Sequence, residues 1–224
     1  LIKYASNAFL ATKISFINEI SSLCEKTGAD INDIAKGMGL DKRIGAKFLN
    51  TGPGYGGSCF PKDTLALIRM SQEYGVSSRI VEAVVEVNSS QKARMVSKIR
   101  EALGGTEADK KIAILGLTFK PETDDMRDSP SLAIIPPLLD KGATIFAHDP
   151  AGVQEAKELL PETVNFGKTI EETVQDSDAI ILMTEWNQYR GLDLIKLKEL
   201  MKGNIFVDLR NVYEPHSMIE KGFK

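Results

Sequence analysis

Apolar residues along this chain keep one spacing up to about Leu103 and a different one after it. In the first stretch they recur at helical intervals. Ile2, Phe9, Phe16, Ile20 and Leu23 predict a helix from Leu1 to about Lys26, stopped by Gly28. Asp30 reads as the cap of a short helix through Ala35 that ends near Gly37-Met38-Gly39. A third helix is expected from about Lys62 to Tyr74, with Leu65, Leu67, Ile68 and Met70 apolar and Gly75 closing it. Ser78 to about Leu103 reads as a fourth, on a stripe of Ile80, Val84, Val87, Met95 and Ile99.

Gly104-Gly105-Thr106 marks the expected boundary between a helical domain, residues 1–105, and a second domain, residues 106–224. Beyond it, short continuous apolar runs predict four buried strands, at Lys111–Leu117, Ala143–Ala147, Ala179–Met183 and Ile205–Asp208. Helical segments fall between them, around Leu132–Lys141, Val153–Leu160, Ile170–Gln175 and Leu194–Lys202. Pro136-Pro137 is expected to kink the first of these. The fold class is therefore α/β: a helical domain followed by a Rossmann-like parallel sheet covered on both faces, with ligands expected at the carboxyl ends of its strands.

Composition narrows the function. Of 224 residues, 42% are hydrophobic and 26% charged, as in water-soluble globular proteins. A net charge of -3 argues against general nucleic-acid binding, and no apolar run approaches the ~20 residues of a membrane span. Cys24 and Cys59 make no disulfide framework, which points to a reducing cytoplasm. His148 and His216 lie far apart without ligand-type spacing to a cysteine, so no metal is expected. The chain opens at Leu1 inside a helical pattern and reads as a fragment of something longer.

Chemistry concentrates in Gly52-Pro53-Gly54-Tyr55-Gly56-Gly57-Ser58-Cys59-Phe60-Pro61-Lys62-Asp63. Glycines allow the backbone sharp bends and close approaches. A thiol just after such a bend is presented outward, with Lys62 near enough to favour its thiolate. Asp63 falls one helical turn past Cys59 and is a candidate base. Cys24, among Ile20 and Leu23, reads as a packed core thiol. Lys3 and Asn7 lie four apart on the first helix and emerge from one face; a solvated polar pair is the alternative. Gly52-x-Gly54-x-x-Gly57 has the letters of a dinucleotide fingerprint but no strand before it, and Gly116 alone is too weak to mark a cofactor site. The strand-end loops Thr118–Pro130 and Asp208–Asn211 carry Lys120, Arg127 and Arg210, groups suited to phosphate.

The segment Gly56–Asp63 resembles the catalytic-cysteine motif of the UDP-glucose 6-dehydrogenase family. Leu1–Phe16 is similar to the start of that family's central helix, and Thr118–Pro130 to its C-terminal-domain loop. The wider group includes GDP-mannose and UDP-N-acetylhexosamine dehydrogenases; Ser58-Cys59-Phe60-Pro61 most resembles the UDP-glucose branch. The resemblance implies three domains: an N-terminal NAD-binding domain absent from this chain, a helical central domain that makes a homodimer, and a UDP-binding domain. It implies Cys59, Lys3, Asn7 and Asp63 as catalytic residues, and contacts to UDP-glucose from Arg43 (into the neighbouring subunit's site), Phe48, Leu49, Asn50, Tyr55, Gly56, Phe119, Lys120 and Arg210. Lys62 and Arg127 would face NAD. The isolated fragment is expected to be inactive without the family's glutamate and threonine from the first domain. A non-catalytic nucleotide-sugar-binding or dimerisation module stays open, as does a cysteine hydrolase, for which no histidine lies near Cys59 in sequence.

Overall fold

The computed structural model describes residues 1–224, and four helices fill the first part of it: α1 (Ile2–Thr27), α2 (Ile31–Gly39), α3 (Phe60–Glu73) and α4 (Arg79–Ala102). Gly28 ends α1 in the left-handed conformation, and the Asp30 side chain caps α2 by accepting from the Asn32 N–H at 2.7 Å. The chain forms two compact units, Leu1–Lys92 and Ala93–Lys224. The first ends inside α4, and Met95 and Ile99 belong to the core of the second.

In the first unit, α1 packs chiefly on α3 and buries mostly small and polar residues, Ala8, Ala11, Ser15, Asn18, Ser21 and Cys24, together with Ile17. Its large apolar residues Ile2, Phe9, Phe16 and Leu23 point outward. The stripe expected on α4 also needs correction. Ile80 is exposed, and the buried positions are Val84, Asn88, Gln91, Met95 and Ile99, two of them amides. No helix is long and apolar enough to cross a membrane.

The second unit holds five parallel strands in the order β3-β2-β1-β4-β5: β1 (Lys111–Leu115), β2 (Thr144–His148), β3 (Asn165–Phe166), β4 (Ala179–Leu182) and β5 (Ile205–Asp208). Helices α5 (Pro130–Asp140), α6 (Val153–Leu159), α7 (Ile170–Val174), α8 (Asn187–Arg190), α9 (Leu194–Leu200) and α10 (Pro215–Glu220) connect or follow them. β3, α8 and α10 are additions to the expected elements. α5 opens at Ser129, as its Ser-Pro start suggests, and runs as one helix through Pro136 and Pro137.

Side chains of β1 alternate between two cores. Ile112 and Ile114 join Ile134, Leu138 and Ile145 on one face, while Ala113 and Leu115 join Ile180, Leu182, Tyr189 and Leu197 on the other. This double burial is why the strands read as unbroken apolar runs. The chain leaves β1 toward β2 and β3 and then crosses back to β4, so the switch point lies at the carboxyl ends of β1 and β4. Gly116 sits there with φ +93, and an added Cβ would come within 2.5 Å of the Thr184 Cβ. Close packing explains that glycine.

Candidate active site

Cys59 is exposed and occupies the N-cap of α3, the end of a helix whose free N–H groups favour negative charge. Its Sγ lies 3.6 Å from Ser58 Oγ. Pro61 belongs in the first turn, where a missing N–H costs nothing. The Asp63 N–H donates to the Cys59 carbonyl at 2.8 Å, so the carboxylate does stand one turn beyond the thiol.

Asp63 is fully buried, and three side chains converge on it. Asn7 Nδ2 donates to Oδ2 at 2.6 Å, Lys3 Nζ lies 3.6 Å from the same oxygen, and Lys62 Nζ lies 3.7 Å from Oδ1. Oδ1 has no hydrogen-bond partner. Burial pushes the Asp63 carboxyl up, but the Asn7 hydrogen bond and the Lys3 and Lys62 charges outweigh it and hold the group below the usual carboxylate range. Lys3 and Asn7 are thus not an idle solvated pair. Lys3 and Asn7 of α1 and Lys62 of α3 form one cluster around Asp63, its anionic centre. Lys62 keeps an exposed ammonium beside an open groove of about 380 Å³ that Tyr4, Leu65, Arg69 and Glu73 help to line.

The glycine stretch has no strand or helix to pair with, and side-chain amides replace one. Gly52 N–H donates to Asn18 Oδ1 at 2.9 Å, and Gln91 Nε2 donates to the Gly52 carbonyl at 2.9 Å. Asn88 accepts from the Tyr55 N–H at 2.8 Å and donates to the Tyr55 carbonyl at 3.1 Å. Gly56 is buried in this stretch. The Tyr55 ring is buried edge-on against Phe60, which also stacks at a tilt on Phe48. Phe48 has φ +66 and remains partly exposed; Asn50 is exposed; Leu49 is a core residue beside Ile17 and Ile31, which leaves only its backbone for a ligand. Arg43 projects from a turn and folds back onto Asp41, which holds that carboxyl below its ordinary value. Lys13 donates to the carbonyls of Ile44, Gly45 and Lys47, clamping the same loop.

In the second unit the strand-end loops also meet. Arg210 donates through Nε to the Met183 carbonyl at 2.7 Å and through a terminal nitrogen to the Phe119 carbonyl at 3.3 Å, with Glu185 Oε2 3.1 Å away. Lys120 lies over the Phe119 ring at 5.3 Å. These three expected residues are therefore neighbours. Arg127 remains largely exposed, its guanidinium forked onto Asp125 at 2.9 and 2.7 Å. Asp149, which sequence reasoning missed, accepts from the Leu117, Thr118, Ala151 and Gly152 N–H groups and from the Trp186 indole. It joins the ends of β1, β2 and β4. Its two oxygens are consumed inside the protein, so it does not offer a ribose the acid that dinucleotide folds place after β2.

Residues 1–90 match the model of the UDP-glucose/GDP-mannose dehydrogenase family, central domain, and residues 113–215 match that family's UDP binding domain. The chain belongs to the UDP-glucose/GDP-mannose dehydrogenase family. It is 51% identical to the UDP-glucose 6-dehydrogenase of Rhizobium meliloti (strain 1021), over 100% of this chain and 51% of that protein. It is also 51% identical to UDP-glucose 6-dehydrogenase YwqF of Bacillus subtilis, over 95% of this chain and 48% of the relative. A UDP-glucose dehydrogenase from Pyrobaculum islandicum superposes with a TM-score of 0.88 at 39% identity, covering 96% of this chain and 48% of that one. An NDP-N-acetyl-D-galactosaminuronic acid dehydrogenase from Methanosarcina mazei gives 0.86 at 31% identity, covering 99% and 48%. The chain spans about half the length of the family members it matches.

Proposed function

We propose that the protein carrying this chain oxidises the primary alcohol of UDP-glucose to the carboxylate, with Cys59 holding the carbon between two oxidations. The observation that carries this reading is the placement of an exposed thiol at a helix N-cap, one turn from the Asp63–Asn7–Lys3 cluster. Two NAD molecules in succession would supply the hydride acceptors, one for each oxidation. Lys62, with its exposed ammonium, and Arg127, with an exposed guanidinium, fit an anionic cofactor.

After the first oxidation the Cys59 thiolate adds to the aldehyde carbon, forming a C–S bond and an alkoxide. Lys3 and Asn7 would stabilise negative charge on that oxygen, as preorganised donors do in acyl-transfer sites. The second oxidation removes hydride from the same carbon and leaves a Cys59 thioester. Water cleaves it, releasing the carboxylate and the thiol, and Asp63 Oδ1, which accepts no hydrogen bond within the chain, would orient that water. Each unit carries its own candidate nucleotide-sugar contacts: Arg210, Lys120 and Phe119 in the sheet unit, and Phe48–Asn50, Tyr55 and Gly56 in the helical one, with Arg43 reaching the site of a neighbouring subunit.

A homodimer completes the proposal. Ile2, Phe9, Phe16 and Leu23, spaced by seven along α1, are 86%, 67%, 46% and 59% exposed, an apolar seam suited to a second copy of the helix. We place the protein in the cytoplasm, in keeping with its two free thiols. A related sugar substrate is the second reading, supported by the Methanosarcina mazei neighbour.

Cys59→Ser in the full-length protein tests the function. Loss of UDP-glucuronate formation, followed by product chromatography, is expected. Near-normal turnover overturns the assignment of Cys59, whereas a wild-type full-length protein that makes no product favours a non-catalytic nucleotide-sugar module.

A further inference from the structure

Two polar residues occupy the core phase of α4 where an apolar face would be expected. Asn88 and Gln91 are only 8% and 7% exposed, close to Val84 at 5% and Met95 at 3% on the same face. A buried amide is costly unless its donors and acceptor are paired. Here the partners are backbone groups of the glycine stretch. Asn88 exchanges two hydrogen bonds with Tyr55, as a neighbouring strand residue would in a sheet. Gln91 and Asn18 take the carbonyl and N–H of Gly52. Between them Gly54 has φ +118, and an added Cβ would lie 2.9 Å from Asn88 Oδ1. That glycine is what lets the amide approach the backbone.

The constraint reaches the thiol through one ring contact. Tyr55, fixed by Asn88, packs edge-on against Phe60 with ring centroids 6.0 Å apart, and Phe60 directly follows Cys59 as the first residue of α3. We propose that Asn88 is a positioning residue for Cys59, holding the thiol at the α3 N-cap by way of Tyr55 and Phe60. The inference deepens the proposed function, because it concerns the placement of the thiol that reading relies on. The cap fixes where the exposed Sγ stands, so a thiol that slips from it is presented less openly to a reagent at any pH.

The test is the alkylation rate of Cys59 by iodoacetamide in this chain, read by mass spectrometry of the Cys59 peptide. Buried Cys24 serves as the internal check that the fold is intact. Asn88→Ala is expected to slow Cys59 by about fivefold, the equivalent of one lost hydrogen bond, at every pH. Asn88→Asp sets a carboxylate against the Tyr55 carbonyl, whereas its protonated form restores the donor. Around this position the groups to consider are Lys92 along α4, the Tyr55 phenol, and uncharged Ser15 of α1, which donates to the Val84 carbonyl at 3.2 Å. No charged side chain lies between Thr51 and Ser58. Burial raises the titration of the introduced acid and Lys92 opposes it.

The Asn88→Asp rate relative to wild type should therefore climb toward one as the pH is lowered and the introduced acid takes up its proton, while the Asn88→Ala ratio stays flat. A residue that merely supported the fold would leave both ratios at one while Cys24 stays unreacted, and that result overturns the proposal. If Asn88→Asp does not fold, Gln91→Met, which keeps volume and removes one bond to Gly52, is expected to slow Cys59 less; a wild-type rate there counts against the proposal. Full turnover of Cys59→Ser would defeat the functional reading and leave the alkylation result standing.

Discussion

Asn7 Nδ2 donates to Asp63 Oδ2 at 2.6 Å, and this bond joins α1 to the turn of α3 that begins at Cys59. Lys3 approaches the same oxygen, so two residues four apart on one helix meet a single buried carboxylate of another. The Asp63 carboxyl sits below its ordinary value despite burial, because hydrogen bond and charge together exceed the desolvation penalty. It is an anion at neutral pH, an acceptor rather than a proton source.

Asp63→Asn keeps the shape and removes that anion, leaving Lys3 and Lys62 without their counterion. In the full-length protein kcat should fall by about 10²–10⁴-fold, the range for a positioned acid–base group, with KM for the nucleotide sugar much less affected. The stability effect has a defined sign. A folded-state value below 3.8 means the Asp63 contribution is full above pH 3.8 and is lost as pH falls through the lower folded value. Thermal melts of wild type and Asp63→Asn should therefore converge as the solution is acidified below that point; parallel curves would argue against an ionised Asp63.

Arg210 bonds carbonyls of two different loops, Met183 and Phe119, while facing Glu185. Lysine cannot reproduce that fork. Arg210→Lys should raise the KM for the nucleotide sugar by about tenfold or more, one or two charge-assisted hydrogen bonds in magnitude, and leave kcat near wild type. Steady-state kinetics with UDP-glucose separate the two parameters.

The sequence made the sheet legible wherever strands were buried on both faces, since Ile112–Leu115 and Ile180–Leu182 form unbroken apolar runs. β3 has only Asn165 and Phe166, paired with Phe146 and Ala147, too short to establish any period. Cys59 and Asp63 were legible because one helical turn relates them. Asn88 and Gln91 were not, because their partners lie 33 and 39 residues away and a polar residue on the core side of a helix gives no hint of its target. Lys13, bonded across 31 residues or more, is hidden for the same reason. The apolar spacing of α1 was visible, but spacing alone could not say that Phe9 and Phe16 face outward while Ala8 and Ala11 face the core.

His148 offers a pH-dependent test of the sheet unit. Its Nδ1 lies 2.7 Å from the Tyr189 hydroxyl, and that hydroxyl also bonds the His148 carbonyl. Burial pushes the imidazole below 6.5, against the opposing charges of Asp149 and Glu171. A histidine lowered on folding favours the native state above its unfolded value, and that advantage is lost as pH drops below 6.5 and the unfolded chain takes up the proton. Melting temperature should fall between about pH 6.5 and 5 in wild type, and His148→Gln should show a shallower slope over that window.

The seam on α1 predicts assembly. Ile2, Phe9, Phe16 and Leu23 recur every seven residues, close to two helical turns, so they share one face. None of them packs in the helical cores around Ile17 or Tyr55, so replacing one should not disturb those cores. Removing the exposed part of each Phe from water on association contributes on the order of 1 kcal/mol, and a charge at the centre of the seam would oppose the partner's equivalent charge. Phe16→Glu is therefore expected to shift this chain from dimer to monomer in analytical ultracentrifugation, with far-ultraviolet circular dichroism unchanged. A wild-type chain that sediments as a monomer at high micromolar concentration would remove α1 as the dimer contact. A variant that remains dimeric would instead move the interface to another face.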